Sequence, residues 1–199
     1  CHHCSFTQSV PRACPACGSA DIQPLGRGTE QLEEHLAELL SDVRRSNGEP
    51  LRISRIDADS TRLKGELERQ LAEVHAGEVD VLVNVAGWSK VEHFVNTTPD
   101  LWDKLIDLNY TGTLRVVHAF LPKLIARGEG KVVNVASDAG RAGSGGEAVY
   151  AGTKGGIIAF TKSLARETAR YKLNINCVCP GPTDTPLLMS TPEKQREAL

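Results

Sequence analysis

Tyr150 and Lys154 stand four residues apart in Tyr-Ala-Gly-Thr-Lys, and Ser137 precedes the tyrosine by thirteen positions. On a helix, the i, i+4 spacing puts the phenol and the ammonium on one face. A tyrosine can give or take a proton, but its unperturbed pKa is about 10. An adjacent ammonium favours the phenolate and draws that pKa towards neutrality. A serine hydroxyl can hold a reacting oxygen while charge develops on it. Gathered around one oxygen, these groups can handle the proton of an alcohol or ketone whose carbon is being oxidised or reduced. A second constellation lies at the start of the chain. Cys1, Cys4, Cys14 and Cys17 form C-x2-C-x9-C-x2-C, a spacing that can hold one tetrahedral Zn²⁺. His2 and His3 are alternative ligands, and free or oxidised thiols are the other reading.

These groups need a frame, and the hydrophobic pattern supplies one. Val79–Val83, Lys131–Val135 and Leu173–Val178 are short apolar runs that read as buried strands. Ser137 follows the second of them, at a strand's carboxyl end, where open α/β sheets bind ligands. Residues 99–126 carry helical periodicity with breaks expected near Gly112 and Pro122, and residues 148–171 form a long helix carrying Tyr150 and Lys154. Strand–helix alternation with runs too apolar for a one-sided sheet implies a parallel α/β sheet covered on both faces. Further upstream, Thr29 opens a helical pattern to about Arg45, Asn47-Gly48 marks a turn, and residues 51–56 alternate like a strand. Residues 62–76 read as another helix, with Leu63, Leu67, Leu71 and Val74 on one side.

From about residue 80 onward, these residues resemble the short-chain dehydrogenase/reductase family. The resemblance rests on Ser137 with Tyr150-x-x-x-Lys154, on Leu82-Val83-Asn84-Val85-Ala86-Gly87, and on Pro180-Gly181-Pro182-Thr183-Asp184-Thr185. It implies an NAD- or NADP-dependent oxidoreductase acting on a small-molecule substrate, with Ser137, Tyr150, Lys154 and Asn109 catalytic. By the same resemblance, Asn109 holds a proton-relay water. Asn84, Ala86 and Gly87 would line the adenosine side of the cofactor, and Tyr150 and Lys154 would also touch it. Pro180, Gly181, Thr183 and Thr185 would meet the nicotinamide carboxamide. The family's second motif asparagine is Val85 here. The stretch SDAGRAGSGGEAVYAGTKGG, with CPGPTDTPLL, resembles the 2-hydroxycyclohexanecarboxyl-CoA dehydrogenase branch and also fits 3-oxoacyl reductases. That implies an alicyclic or acyl thioester substrate.

The opening eighty residues resemble a different protein, the replication-restart helicase known as primosomal protein N-prime. CHHC, PRACPACG, LGRGTEQLEEHLAELL and RIDADSTRLKGELERQLAEVHAGEVDVLV carry that likeness. The implied organisation is a Cys-rich zinc segment at 1–20, a helicase-lobe-like α/β fragment at 21–78 and a dehydrogenase catalytic half at 79–199. The fold is then a partial Rossmann-like, doubly wound parallel sheet with a small zinc-binding N-terminal segment. No G-x-x-x-x-G-K-[ST] loop is present to cradle ATP phosphates. The alternatives to an oxidoreductase are thus a zinc-bearing, DNA-associated fragment or an inactive fusion of the two. The dehydrogenase family's own Gly-rich phosphate turn is missing as well, with Leu25-Gly26-Arg27-Gly28-Thr29 the nearest candidate. Asp57 stands where that family places an aspartate near the adenine.

Bulk properties fit a small-molecule enzyme. The 199 residues are 40% hydrophobic and 24% charged, with net charge −2, so no basic excess points to nucleic acid. No run is long and apolar enough for a membrane span, and the N-terminal stretch does not read as a signal peptide, so the cytoplasm is the default expectation. The chain lacks an initial methionine and stops within a polar, helix-like stretch, so both ends read as cut. A homo-oligomer is compatible with the family, although its last, dimer-building strand has no counterpart here.

Overall fold

The structure is a computed structural model that describes residues 29–45, 47–50, 53, 72, 76 and 79–183. These residues belong to two compact units, one containing 29–53 and the other 72–183.

In the first unit, helix α1 (Thr29–Leu39) opens at Thr29, as the sequence implies, but stops six residues before Arg45. Short turns replace it: Ser41 N–H donates to the Glu38 carbonyl and Val43 N–H to the Leu40 carbonyl. The Asn47-Gly48 turn is present. Gly48 sits at φ +85°, a conformation open to glycine at little cost. Its N–H donates to the Arg45 carbonyl, and Arg44 and Pro50 meet in an antiparallel bridge.

The second unit alternates strands and helices. Strand β1 (Val81–Asn84) leads through a loop and a single 3₁₀ turn to α2 (Pro99–Ile106). A π-helical turn (Asp107–Thr111) joins α2 to α3 (Gly112–Arg127). Then follow β2 (Gly130–Val135), the short α4 (Ala139–Ala142), α5 (Ala148–Thr168) and β3 (Leu173–Val178). The strands form a parallel sheet in the order β1-β2-β3, with Leu82, Val132 and Ile175 in one register row.

The expected breaks near Gly112 and Pro122 are not there. At residues 107–111 the chain widens instead of breaking: Gly112 N–H donates to the Asp107 carbonyl, five residues back. Pro122 lies inside α3. Its ring and His118, whose carbonyl loses its partner, both lie on the exposed side, where water can satisfy the carbonyl. Gly128, at φ +77°, ends α3 with its N–H shared between Leu124 and Ile125 carbonyls.

The core lies on one face of the sheet. Val117 and Leu124 of α3, Leu164 of α5, and Val132, Leu173 and Ile175 of the strands form it. The opposite face presents Val81, Val83, Asn174, Asn176 and Val178, all exposed. Among the described residues, helices cover one face rather than the two that the apolar runs imply. No helix among them is long and apolar enough to cross a membrane.

Candidate active site

Three strand ends create the site. The parallel ladder continues past β2 and β3: Ala136 N–H donates to the Val178 carbonyl and Asp138 N–H to the Pro180 carbonyl, both at 2.8 Å. Ser137 and the Pro180–Gly181 segment are therefore held side by side. The Ser137 hydroxyl accepts from Ala139 N–H at 3.2 Å, at the entrance to α4.

Helix α5 brings the other two groups to this edge. Its buried positions Thr153, Lys154, Ile157, Thr161, Leu164 and Thr168 follow helical spacing, although four of the six are polar. Three threonine hydroxyls are satisfied by the helix itself, donating to the carbonyls of Tyr150, Ile157 and Leu164 at 2.7 Å each. Gly140 allows α5 to approach α4 closely, because a Cβ there would stand 2.7 Å from the Gly155 nitrogen. The result places Tyr150 in the first turn of α5 beside Ser137. Lys154 is 3% exposed, and its Nζ donates to the Val135 carbonyl at 3.0 Å, at the end of β2.

The strand β1 side is held by amides. Asn109, fully buried in the π turn, grips the Trp88 backbone at both ends. Its Oδ1 accepts from Trp88 N–H and its Nδ2 donates to the Trp88 carbonyl, each at 2.8 Å. A Cβ on the preceding Gly87 would stand 3.0 Å from Lys154 Nζ and 3.4 Å from Asn109 Oδ1. Gly87, Asn109 and Lys154 thus meet in one place. Asn84 donates to Asn134 Oδ1 at 2.7 Å, and Asn134 donates to Thr161 Oγ1 at 3.0 Å, tying β1 to β2 and α5.

Electrostatics differ from the expectation. Burial raises the Tyr150 pKa above its ordinary value; hydrogen bonding with Ser137 lowers it in part, and the Glu147 carboxylate raises it. The Lys154 ammonium is bound to the Val135 carbonyl and lies 5.8 Å from the phenol ring centroid. Burial lowers the Lys154 pKa itself, while the neighbouring Cys177 pulls it the other way. The phenol is therefore poised as a proton donor.

The structure thus brings together Ser137, Tyr150, Lys154, Asn109, Asn84, Gly87 and the Pro180–Gly181 segment around the strand ends. Ala86 and Thr183 lie exposed in the loops after β1 and β3, with Thr183 Oγ1 donating to the Gly181 carbonyl at 3.1 Å. Val85, the departure from the family motif, is 48% exposed. Thr185, Asp57, the Gly26–Gly28 turn and the four cysteines Cys1, Cys4, Cys14 and Cys17 lie outside the described residues. Among the described residues, no group of three or more His, Cys, Asp or Glu side chains gathers around a metal position. Sequence reasoning missed Trp88, Gly140 and Glu147. A glycine or glutamate in a Gly-rich loop carries no spacing signal of its own; only the fold shows what it touches.

Known proteins share this architecture. Residues 21–196 match the short chain dehydrogenase family. An uncharacterized oxidoreductase of Staphylococcus epidermidis is 34% identical over 90% of this chain and 74% of its own length. Acetoacetyl-CoA reductase of Shinella zoogloeoides is 38% identical over 61% of this chain and 51% of its own length. The 3-oxoacyl-[acyl-carrier-protein] reductase of Escherichia coli is 32% identical over 83% of this chain and 66% of its own length. A crystal structure of a short-chain dehydrogenase/reductase family oxidoreductase from Burkholderia thailandensis superimposes with a TM-score of 0.54 at 38% identity, covering 60% of this chain and 47% of that one. The family match begins at residue 21 and takes in the segment that resembles a helicase lobe, so the helicase alternative gains no support.

Proposed function

The chain belongs to the short-chain dehydrogenase family, and from that premise we propose that Ser137, Tyr150 and Lys154 handle the proton in an NAD- or NADP-dependent interconversion of a secondary alcohol and its ketone. The convergence of these three side chains at the carboxyl end of β2 carries the reading. Ser137 holds the substrate oxygen. Tyr150 gives its phenolic proton to that oxygen in reduction and takes it back in oxidation. Lys154, anchored on the Val135 carbonyl, fixes the first turns of α5 against the end of β2. Asn109 holds the Trp88 backbone and so places Gly87 against the lysine. Lys154 and the Pro180–Thr183 segment fit the nicotinamide end of the cofactor, and Asn84, Ala86 and Gly87 its adenosine side; the cofactor supplies or accepts the hydride when bound. In the substrate we infer an acyl thioester, open-chain or alicyclic. The two reductases named above support it, as does the resemblance of the Gly-rich stretch before Tyr150.

The test is reduction of acetoacetyl-CoA, followed by loss of NAD(P)H absorbance. Tyr150→Phe should lower the rate by roughly 10²- to 10⁴-fold, the usual worth of a positioned acid, while NAD(P)H fluorescence titration still reports binding. The pH dependence has a defined sign. Because the phenol's pKa is raised, reduction should hold through neutral pH and fall as pH climbs through that pKa, whereas alcohol oxidation should rise over the same interval. Wild-type turnover by Tyr150→Phe would end the assignment.

A further inference from the structure

Glu147 immediately precedes α5, yet its side chain does not cap the helix. Its carboxylate is shared by two loops instead. Ser89 Oγ donates to one oxygen at 2.5 Å and Ser144 Oγ to the other at 2.7 Å. Ser89 belongs to the loop after β1, next to Trp88 and Gly87; Ser144 belongs to the loop that leads into Tyr150. The same loops meet again nearby. Glu92 N–H donates to the Gly146 carbonyl at 2.7 Å, and Gly146, at φ +77°, leaves only 3.0 Å between an added Cβ and Val91 Cγ1.

We propose that Glu147 is a positioning residue that acts through Tyr150: it fastens the loop after β1 to the loop before α5 and holds a carboxylate at the start of the helix that carries the phenol. This rests on the assignment of Tyr150 to proton exchange. Burial is the larger influence on the phenol, and Glu147 adds to it in the same direction. Ser137, from the loop after β2, is uncharged and favours the phenolate. Lys154, on the same helix, points to the Val135 carbonyl. Asp138 and Arg141, at and within α4, pair with each other at 3.2 Å. Lys104 of α2 lies over Trp88, and Asp107 of the π turn pairs with Arg115. On β3, Cys177 acts on Lys154. Glu147 is the anion among them whose charge registers on the phenol.

Charge and fastening can be separated. Glu147→Gln keeps a group able to bond both serines but removes the charge; the double variant Ser89→Ala/Ser144→Ala keeps the charge and removes the fastening. Tyr150 is titrated directly by tyrosinate ultraviolet absorbance, each protein being compared with the same chain carrying Tyr150→Phe. Glu147→Gln should move this titration, and the alkaline limb of the reduction profile, to lower pH, and Glu147→Asp should restore both. The double serine variant should raise KM roughly tenfold, as loss of a hydrogen-bond pair implies, with the titration in place. An unchanged Tyr150 titration in Glu147→Gln, or an equal shift in the serine variant, overturns the proposal. Failure of the functional reading has a different signature, namely turnover by Tyr150→Phe itself.

Discussion

The two walls of the site are built by different physics. The α5 wall, which carries Tyr150 and Lys154, combines apolar burial with bonds to β2: Ile157 is 1% exposed and Leu164 packs with Val117, Leu124 and Val132, while Lys154 and Thr161 bond the Val135 carbonyl and Asn134. The wall after β1, which carries Gly87 and Trp88, grows from a strand whose Val81 and Val83 are exposed. Side-chain amides hold it, with Asn109 on the Trp88 backbone and Asn134 on Asn84. Burial is non-directional and tolerates small shifts, whereas paired hydrogen bonds fix a backbone segment to a few tenths of an ångström. The wall with little packing is thus positioned by directional bonds, and the well-packed wall can devote Tyr150 to chemistry.

Three substitutions bear on that contrast. Leu164→Ala should have the largest effect, destabilising the fold by about 3 kcal/mol through lost burial and a cavity. Urea melts should show a lower midpoint with an unchanged slope, and activity per folded molecule should persist, because the wall is weakened without being displaced. Asn109→Ala comes next. It removes the Asn109 side chain that bonds the Trp88 N–H and carbonyl, at about 2 kcal/mol, and here activity per folded molecule should also fall. If Leu164→Ala lost activity in the same proportion, the division of labour between the walls would be wrong. Val83→Thr should be the mildest, within about 0.5 kcal/mol, since that side chain is 47% exposed. A larger loss in the melt would mean that the outer face of β1 is buried in solution.

Much of this was readable beforehand. The runs at 131–135 and 173–178 became β2 and β3 almost residue for residue, although Asn174 and Asn176 make β3 an alternating strand with one exposed face. Ser137, Tyr150 and Lys154 were legible through spacing and chemistry together. Asn109 was legible as a position, but its grip on Trp88 was not, since nothing in a sequence pairs an amide with a backbone unit twenty-one residues away. The widened turn at 107–111 left no mark in the periodicity, and Pro122 misled because its helix-breaking rule ignores which side of the helix meets water. The Tyr150 pKa also defeated the local rule. Four residues of separation place the lysine nearby, but the Val135 carbonyl, supplied by a different strand, decides where the ammonium points.

The widened turn limits how this region can change. A regular helix advances about 100° about its axis with every residue, so a turn holding one surplus residue resets the angular phase of everything after it. Leu105 before the turn and Val117, Phe120 and Leu124 beyond it all face inward only because that reset lies between them. The identity of an exposed residue such as Leu108 is therefore free to drift, whereas the number of residues between Ile106 and Gly112 is not. Shortening it would turn the whole length of α3 like a screw set one notch off, and the inward-facing row would rotate away from the sheet.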